Sequence, residues 1–292
     1  MRPSGSHLLA ALVATVAVAA APSATAPAKA AGSPDTAALQ VALRGSGLYG
    51  GTIDGVRGAA TTAAVRRFQS RNGLVPDGVA GAATRAALGR RGRPALGSRV
   101  LRVGSSGWDV AALQFSLAWH GFPSATIDGG FGGHTDSAVR RFQARAGLGA
   151  DGVVGAATLA ALRGPIPRSP IRLVAPIQAP VGDRFGPRGN GFHPGVDFPA
   201  PTGRSVRAAG RGRVVFAGWD SGGYGNLVVV EHPLGVRSMY AHLSRIGVRS
   251  GQSVVAGSIV GAVGATGFAT GPHLHFEVRV RGAAVDPFTA LG

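Results

Sequence analysis

The chain of 292 residues contains no cysteine. Disulfides are thereby excluded as a source of stability, and a Cys-His zinc knuckle is excluded too, so any metal would have to be held by imidazole and carboxylate alone. Lysine is nearly missing as well. Lys29 stands alone, and arginine supplies the rest of the 30 basic residues that face only 13 acids, for a formal charge of +17. Aromatic residues make up 6% of the chain. Nowhere do they stud a basic stretch in the manner of nucleic-acid modules, so nucleic acid is not the expected partner of this charge. Beyond the first thirty residues no uncharged apolar run approaches the ~20 residues that a membrane span requires. What is present is an apolar fraction of 45% over a length sufficient for two or three domains with cores of their own.

One apolar run opens the chain. "LLAALVATVAVAAA" at residues 8–21 follows Arg2 and precedes small residues, which reads as a secretory signal peptide over residues 1–30. Ala28-Lys29-Ala30 offers a small-x-small cleavage site, preferred to Ala24-Thr25-Ala26 because Pro27 follows the latter directly. Loss of Arg2 and Lys29 with this segment, and of no acid, lowers +17 to +15. An exported chain of this charge suits a polyanionic surface reached by long-range steering.

An internal duplication comes next. "TIDG" recurs at Thr52 and Thr126, "AVRRFQ" at Ala64 and Ala138, "DGV" at Asp77 and Asp151, and "GAAT" at Gly81 and Gly155, all in one gapless register. Within each copy the spacing predicts three short helices: Leu39 and Leu43 at i, i+4, Val65 and Phe68 at i, i+3, and a third over residues 82–88, with glycines and Asp-Gly turns between them. These units resemble the peptidoglycan-binding domain of bacterial wall hydrolases, the first over residues 31–89 and the second over 98–163. The second copy carries "FGGHT" at residues 131–135, close to that family's FG-x-x-T, whereas the first has "VRGAAT" instead. The Arg66-Arg67 and Arg140-Arg141 pairs read as solvated helix faces. A segment with five prolines over residues 164–180 is expected to be a semi-rigid linker.

After it, short Val-rich runs punctuated by glycine ("GRVVFAGW", "NLVVVEHP", "VRSMYAHL", "SIVGAVGA", "HLHFEVRV") predict a mainly antiparallel β domain over residues 181–292. The expected fold class is thus multidomain α + β, two three-helix units followed by a β domain. In "HLHFEVRV" His273 and His275 share one strand face, because side chains at i and i+2 point the same way. With "FHPGVDF", which holds His193 and Asp197, and "YAHL", which holds His242, the domain offers four histidines and an aspartate. Two histidines and a carboxylate suffice for a catalytic zinc with an open position, and the remaining histidines are then free for proton chemistry. In order, "RFGPR", "FHPGVDFPAPTG", "GYGN", "YAHL", "TGPHLHFEVR" and "DP" resemble the catalytic domain of the lysostaphin-type zinc endopeptidases. The resemblance implies that His193, Asp197 and His275 bind Zn2+ and that His242 and His273 are the catalytic pair. Ala269, where serine is usual, departs from the pattern in a loop. His7 falls in the signal, His120 and His134 in the second repeat, and His232 at a strand end, and none is expected to bind metal. Asp183 and Glu231 are read as surface or turn residues.

Taken together, these features predict a secreted, extracellular or wall-associated zinc endopeptidase that uses a zinc-activated water and two histidines to hydrolyse peptide bonds in peptidoglycan. Peptidoglycan would be both substrate and anchor, with anionic wall polymers as further partners. The mature form is expected to be a monomer without a membrane span. A non-catalytic wall-binding regulator is the alternative, disfavoured by the complete set of five residues. If the repeats are anchors alone, their removal should weaken wall retention and spare hydrolysis of a small soluble peptide.

Overall fold

The structure, a computed structural model, describes residues 31–292, so the expected signal peptide lies outside the described residues. Helix α1 (Pro34–Gly45) starts where the Ser33 hydroxyl accepts from the Thr36 N–H, with Asp35 in the first turn and Arg44 in the last, both favourable to the helix dipole. Helices α2 (Ala59–Arg71) and α3 (Ala82–Ala87) complete the first unit, and α4 (Trp108–Trp119), α5 (Gly133–Arg145) and α6 (Ala156–Leu162) form the second. Leu39, Leu43, Val65 and Phe68 are buried, as their spacing predicts.

A buried glutamine organises each turn. Gln40 accepts from the Gly55 N–H at 2.9 Å and donates to Asp54 at 2.7 Å and to Thr61 at 3.1 Å. Gln69 repeats this with Gly78, Asp77 and Thr84, Gln114 with Gly129, Asp128 and Thr135, and Gln143 with Gly152, Asp151 and Thr158. Each unit is therefore itself two similar halves, built on Gln, Asp-Gly and Thr whose buried polar atoms satisfy one another. Thr61 keeps its place in this frame, so the first copy's departure from FG-x-x-T leaves the frame intact.

The units are not separate beads. Trp108, Phe115 and Trp119 of the second join Leu39, Leu43, Ile53 and Phe68 of the first in one core, which also takes in Phe185 and Ala284 from the β domain. No helix among the described residues is long and apolar enough to cross a membrane.

In the β domain a hairpin of β1 (Gly186–Arg188) and β2 (Gly191–His193) leads into β3 (Val196–Pro199). Strands β4 (Ser205–Arg207), β8 (Arg245–Ile246) and β10 (Ile259–Ala262) form a small sheet in the order β4-β10-β8. The large antiparallel sheet contains β5 (Gly212–Asp220), β6 (Gly225–His232), β7 (Val236–Ala241), β9 (Ser253–Val254), β11 (His273–Val280) and β12 (Ala283–Val285), in the order β12-β11-β7-β6-β5-β9, with β3 on β11. Strand β11 turns Leu274, Phe276 and Val278 into the core, against Val206, Tyr240 and Val260. Its other face carries His273, His275 and Glu277.

The Pro-rich segment contacts the β domain in its second part. Leu173 and Ile177 are buried in the β-domain core. Leu173 N–H donates to Ala290 O, Val174 N–H to Ala209 O, and Pro176 O accepts from Arg207 N–H. The segment expected as a spacer through residue 180 thus packs on the β domain from Leu173 onward: Leu173 and Ile177 find places in the core, while Ile166 and Val174 keep their side chains exposed.

Candidate metal centre and groove

Register places the first two candidate ligands. Strand β3 pairs with β11 so that Asp197 lies opposite His275, and the turn at Pro194-Gly195 brings His193, the last residue of β2, back over both. A Cβ on Gly195 would fall 2.5 Å from Phe276 O, so the turn approaches β11 too closely for any larger residue. His193 Nε2 lies 3.1 Å from Asp197 Oδ1 and 3.0 Å from His275 Nδ1, and His275 Nδ1 lies 2.8 Å from Asp197 Oδ1. A tetrahedral zinc site with bonds of ~2.0–2.1 Å separates its ligand atoms by about 3.3 Å, which this triangle approaches within a few tenths of an ångström.

Partners on the far side of each ring decide which nitrogen is free. A carbonyl oxygen can only accept, so His193 Nδ1 donates to Arg184 O at 3.1 Å, His242 Nδ1 to Thr266 O at 2.8 Å and His273 Nδ1 to Gly271 O at 2.8 Å. In all three the Nε2 lone pair remains. His275 differs, because its Nε2 donates to Glu277 Oε1 at 3.1 Å and leaves Nδ1 for the site. Such backing fixes tautomer and orientation, as metal-binding imidazoles require. The donor set therefore fits zinc: two imidazole nitrogens and a carboxylate converge without a thiol.

His273 stands apart from the triangle. Its Nε2 is 3.7 Å from Asp197 Oδ1, and its ring centroid is 4.9 Å from that of His242. His242 follows β7 in the left-handed region at φ 60°, where a non-glycine residue is strained. Its N–H donates to Tyr224 O, which helps to hold it there. The five residues open onto one groove of about 830 Å³, whose walls include Asp183, Arg188, Tyr224 and Phe268.

Burial pushes the Asp197 carboxyl up, yet the hydrogen bonds from His193 and His275 outweigh it and hold the group well below the usual carboxylate range. Burial pushes His275 down, but Asp197 and Glu277 on its two nitrogens raise it to about 9, so a cation entering the site must displace a proton. The His242 ring is held below its ordinary value by burial, which the Thr266 carbonyl only partly offsets. It is neutral near pH 7.

Sequence reasoning missed the buried support behind His275. Glu277 is fully buried, and it accepts from the Tyr224 hydroxyl at 2.6 Å and from Arg279 Nε at 2.7 Å as well as from His275. Burial pushes its carboxyl up, but Arg279 and His275 bring it down to about 2. The signal was present in the same strand period that paired His273 with His275, because Glu277 follows at i+2. Among the other histidines, His120 is buried against Leu162 O, His134 is exposed on α5, and His232 is buried between Arg211 O and Ser238. Asp183 pairs with Arg188 and Glu231 with Arg237, both at the surface.

Residues 191–287 match the model of peptidase family M23, and residues 32–88 and 106–162 each match the family described as "Putative peptidoglycan binding domain". The chain is similar to the DD-carboxypeptidase/endopeptidase Mpg of Neisseria meningitidis serogroup B, 44% identical over 113 residues that cover 38% of this chain and 26% of that protein. It is likewise similar to lysostaphin of Staphylococcus simulans, 42% identical over 106 residues, covering 35% of this chain and 22% of that one. The chain thus spans about a quarter of the length of these relatives. The crystallised catalytic domain of lysostaphin from Staphylococcus simulans is 39% identical over 37% of this chain and 89% of that domain, with a TM-score of 0.36.

Proposed function

We propose that the chain, whose residues 191–287 match the model of peptidase family M23 and whose residues 32–88 and 106–162 match the model described as "Putative peptidoglycan binding domain", is a secreted, wall-associated zinc endopeptidase that hydrolyses peptide bonds in peptidoglycan. The observation that carries this reading is the convergence of His193, Asp197 and His275, whose ligand atoms all lie within 4.8 Å of one another, beside two further imidazoles in the same groove.

His193 Nε2, Asp197 Oδ1 and His275 Nδ1 would hold the ion. A zinc bound there supplies Lewis acidity toward the scissile carbonyl and a water acidic enough to attack near neutral pH. His242 and His273 act on protons and developing charge. Each presents an Nε2 lone pair with its Nδ1 anchored on a backbone carbonyl, so the rings cannot swing away. A neutral His242 can take a proton during attack and return it to the leaving amine, a role worth ~10²- to 10⁴-fold in rate. His273, once protonated, can donate to the oxyanion that forms on the carbonyl carbon. The helical units hold the enzyme on its insoluble substrate, aided by a net positive charge. Signal residues 1–30 account for export, and a monomer suffices, since one chain supplies every group named.

Purified protein treated with a chelator should stop clearing suspended cell walls and should resume when zinc is restored to one ion per chain. A regulator without its own catalysis would sediment with walls and leave their turbidity unchanged in both states.

A further inference from the structure

One short hairpin joins the helical units to the candidate metal centre. Strand β2 ends on His193, and the carbonyl behind the His193 ring belongs to Arg184, just ahead of β1. The residues beside these two groups are Phe192 and Phe185. Trp119, the last residue of α4, packs edge-on against both, with ring centroids 5.5 Å from Phe192 and 6.1 Å from Phe185, while the two phenylalanines lie 5.0 Å apart. Trp119 is 4% exposed, and its indole N–H has no hydrogen-bond partner among the described residues, so its contribution is the ring's packing.

The turn of the hairpin is held from the same side. The Ile53 N–H donates to Gly189 O at 2.8 Å and the Ile127 N–H to Asn190 O at 2.7 Å. Ile53 and Ile127 occupy the same place in the two "TIDG" repeats, so equivalent amides of the duplicated units converge on consecutive carbonyls of one turn. Thr126 also bridges to Gly191, and Ala284 N–H donates to Gly121 O at 3.1 Å. A Cβ on Gly121 would come within 2.3 Å of Ala284 O, which marks how closely the second unit is seated on the β domain.

From this we infer that the helical units are part of the support of the metal centre, and that Trp119 is a positioning residue for His193. The ring fixes the two phenylalanines that flank the ligand and its backing carbonyl, and the paired amides fix the turn between them. The inference rests on the reading of His193 as a zinc ligand. Loss of support behind a ligand typically weakens metal binding 10–100-fold.

The test is zinc affinity in the full chain, measured by competition with a chromogenic chelator, beside circular dichroism to establish folding. Trp119→Ala and Trp119→Leu should each weaken zinc about 10–100-fold, and Trp119→Phe, which restores an aromatic edge, should return affinity to within a few-fold of wild type. Val139→Ala, in the core of the second unit and away from the hairpin, should lower the unfolding temperature and leave zinc affinity unchanged. Trp119→Leu serves if the alanine variant does not fold. Wild-type affinity in folded Trp119→Leu, or equal weakening by Val139→Ala, would overturn the inference. If the wild-type chain itself takes up no zinc, the failure belongs to the metal reading instead.

Discussion

His273 and His275 lie two residues apart on one strand face, yet only His275 turns a nitrogen into the ligand triangle. The His275 Nδ1 is 2.8 Å from Asp197 Oδ1 against 3.7 Å for His273 Nε2. His275→Ala should therefore lose both zinc and activity, whereas His273→Ala should retain most of its zinc and lose at least ~10²-fold in rate. Zinc per chain and initial rate, measured on both variants, check the division, and equal zinc loss in the two would show it to be wrong. Behind His275, Glu277 anchors the ring and pairs with the Arg279 guanidinium in a buried cluster. Glu277→Gln should weaken zinc ~10–100-fold while the domain still folds, because the amide oxygen can still accept from the imidazole. Glu277→Ala leaves a buried charge unpaired and should cost ~3–5 kcal/mol of stability, read from urea denaturation. That glutamate was within reach of the strand period, but nothing in one sequence distinguishes a carboxylate that backs a ligand from one that faces solvent.

Strand β11 was legible because the requirement on it is simple. Alternation turns Leu274, Phe276 and Val278 inward and the histidines outward, and each inward side chain is fully buried. The glutamine frames were not legible. Gln40, Gln69, Gln114 and Gln143 sit within helical patterns where a polar residue normally faces water, and only the fold of the Asp-Gly turns over them creates their partners. A comparable chain lies under β6 and β7. There Ala209 N–H donates to the Tyr240 hydroxyl, which bonds Ser238, which bonds His232, whose Nδ1 donates to Arg211 O. Burial holds His232 below its ordinary pKa, the Arg211 carbonyl offsetting only part. Since the folded value lies below the unfolded one, the unfolded chain takes up the proton first as pH falls. The contribution of His232 to stability is thus whole above about pH 6.5 and is lost as pH drops toward the folded value. Thermal unfolding should show a falling midpoint below pH 6.5. His232→Gln should flatten part of that fall, at a cost of ~1–3 kcal/mol near pH 7.5. An unchanged pH slope in the variant would remove His232 from the account.

At the scale of the molecule the duplication and the β domain could both be read from sequence, but the seating of one on the other could not. Trp119, Phe185 and Phe192 lie in segments far apart in the chain, and no periodicity announces that they share an interface. Their packing changes the expectation for truncation. Removal of the helical units would expose Phe185, Phe192, Ala283 and Ala284, so a chain starting at residue 164 should unfold at lower denaturant than the full chain and should not behave as an intact small peptidase. Equal denaturation midpoints would restore the picture of independent anchors. The central claim, that the full chain cleaves peptide bonds of the wall with a zinc held by His193, Asp197 and His275, is tested most directly on purified peptidoglycan. Released fragments are analysed by mass spectrometry, with new amino groups and new reducing sugar ends counted separately at increasing zinc per chain. The account predicts new amino groups that rise in step with zinc to one ion per chain, and no new reducing ends. Undiminished release by metal-free protein, or reducing ends without amino groups, would contradict it.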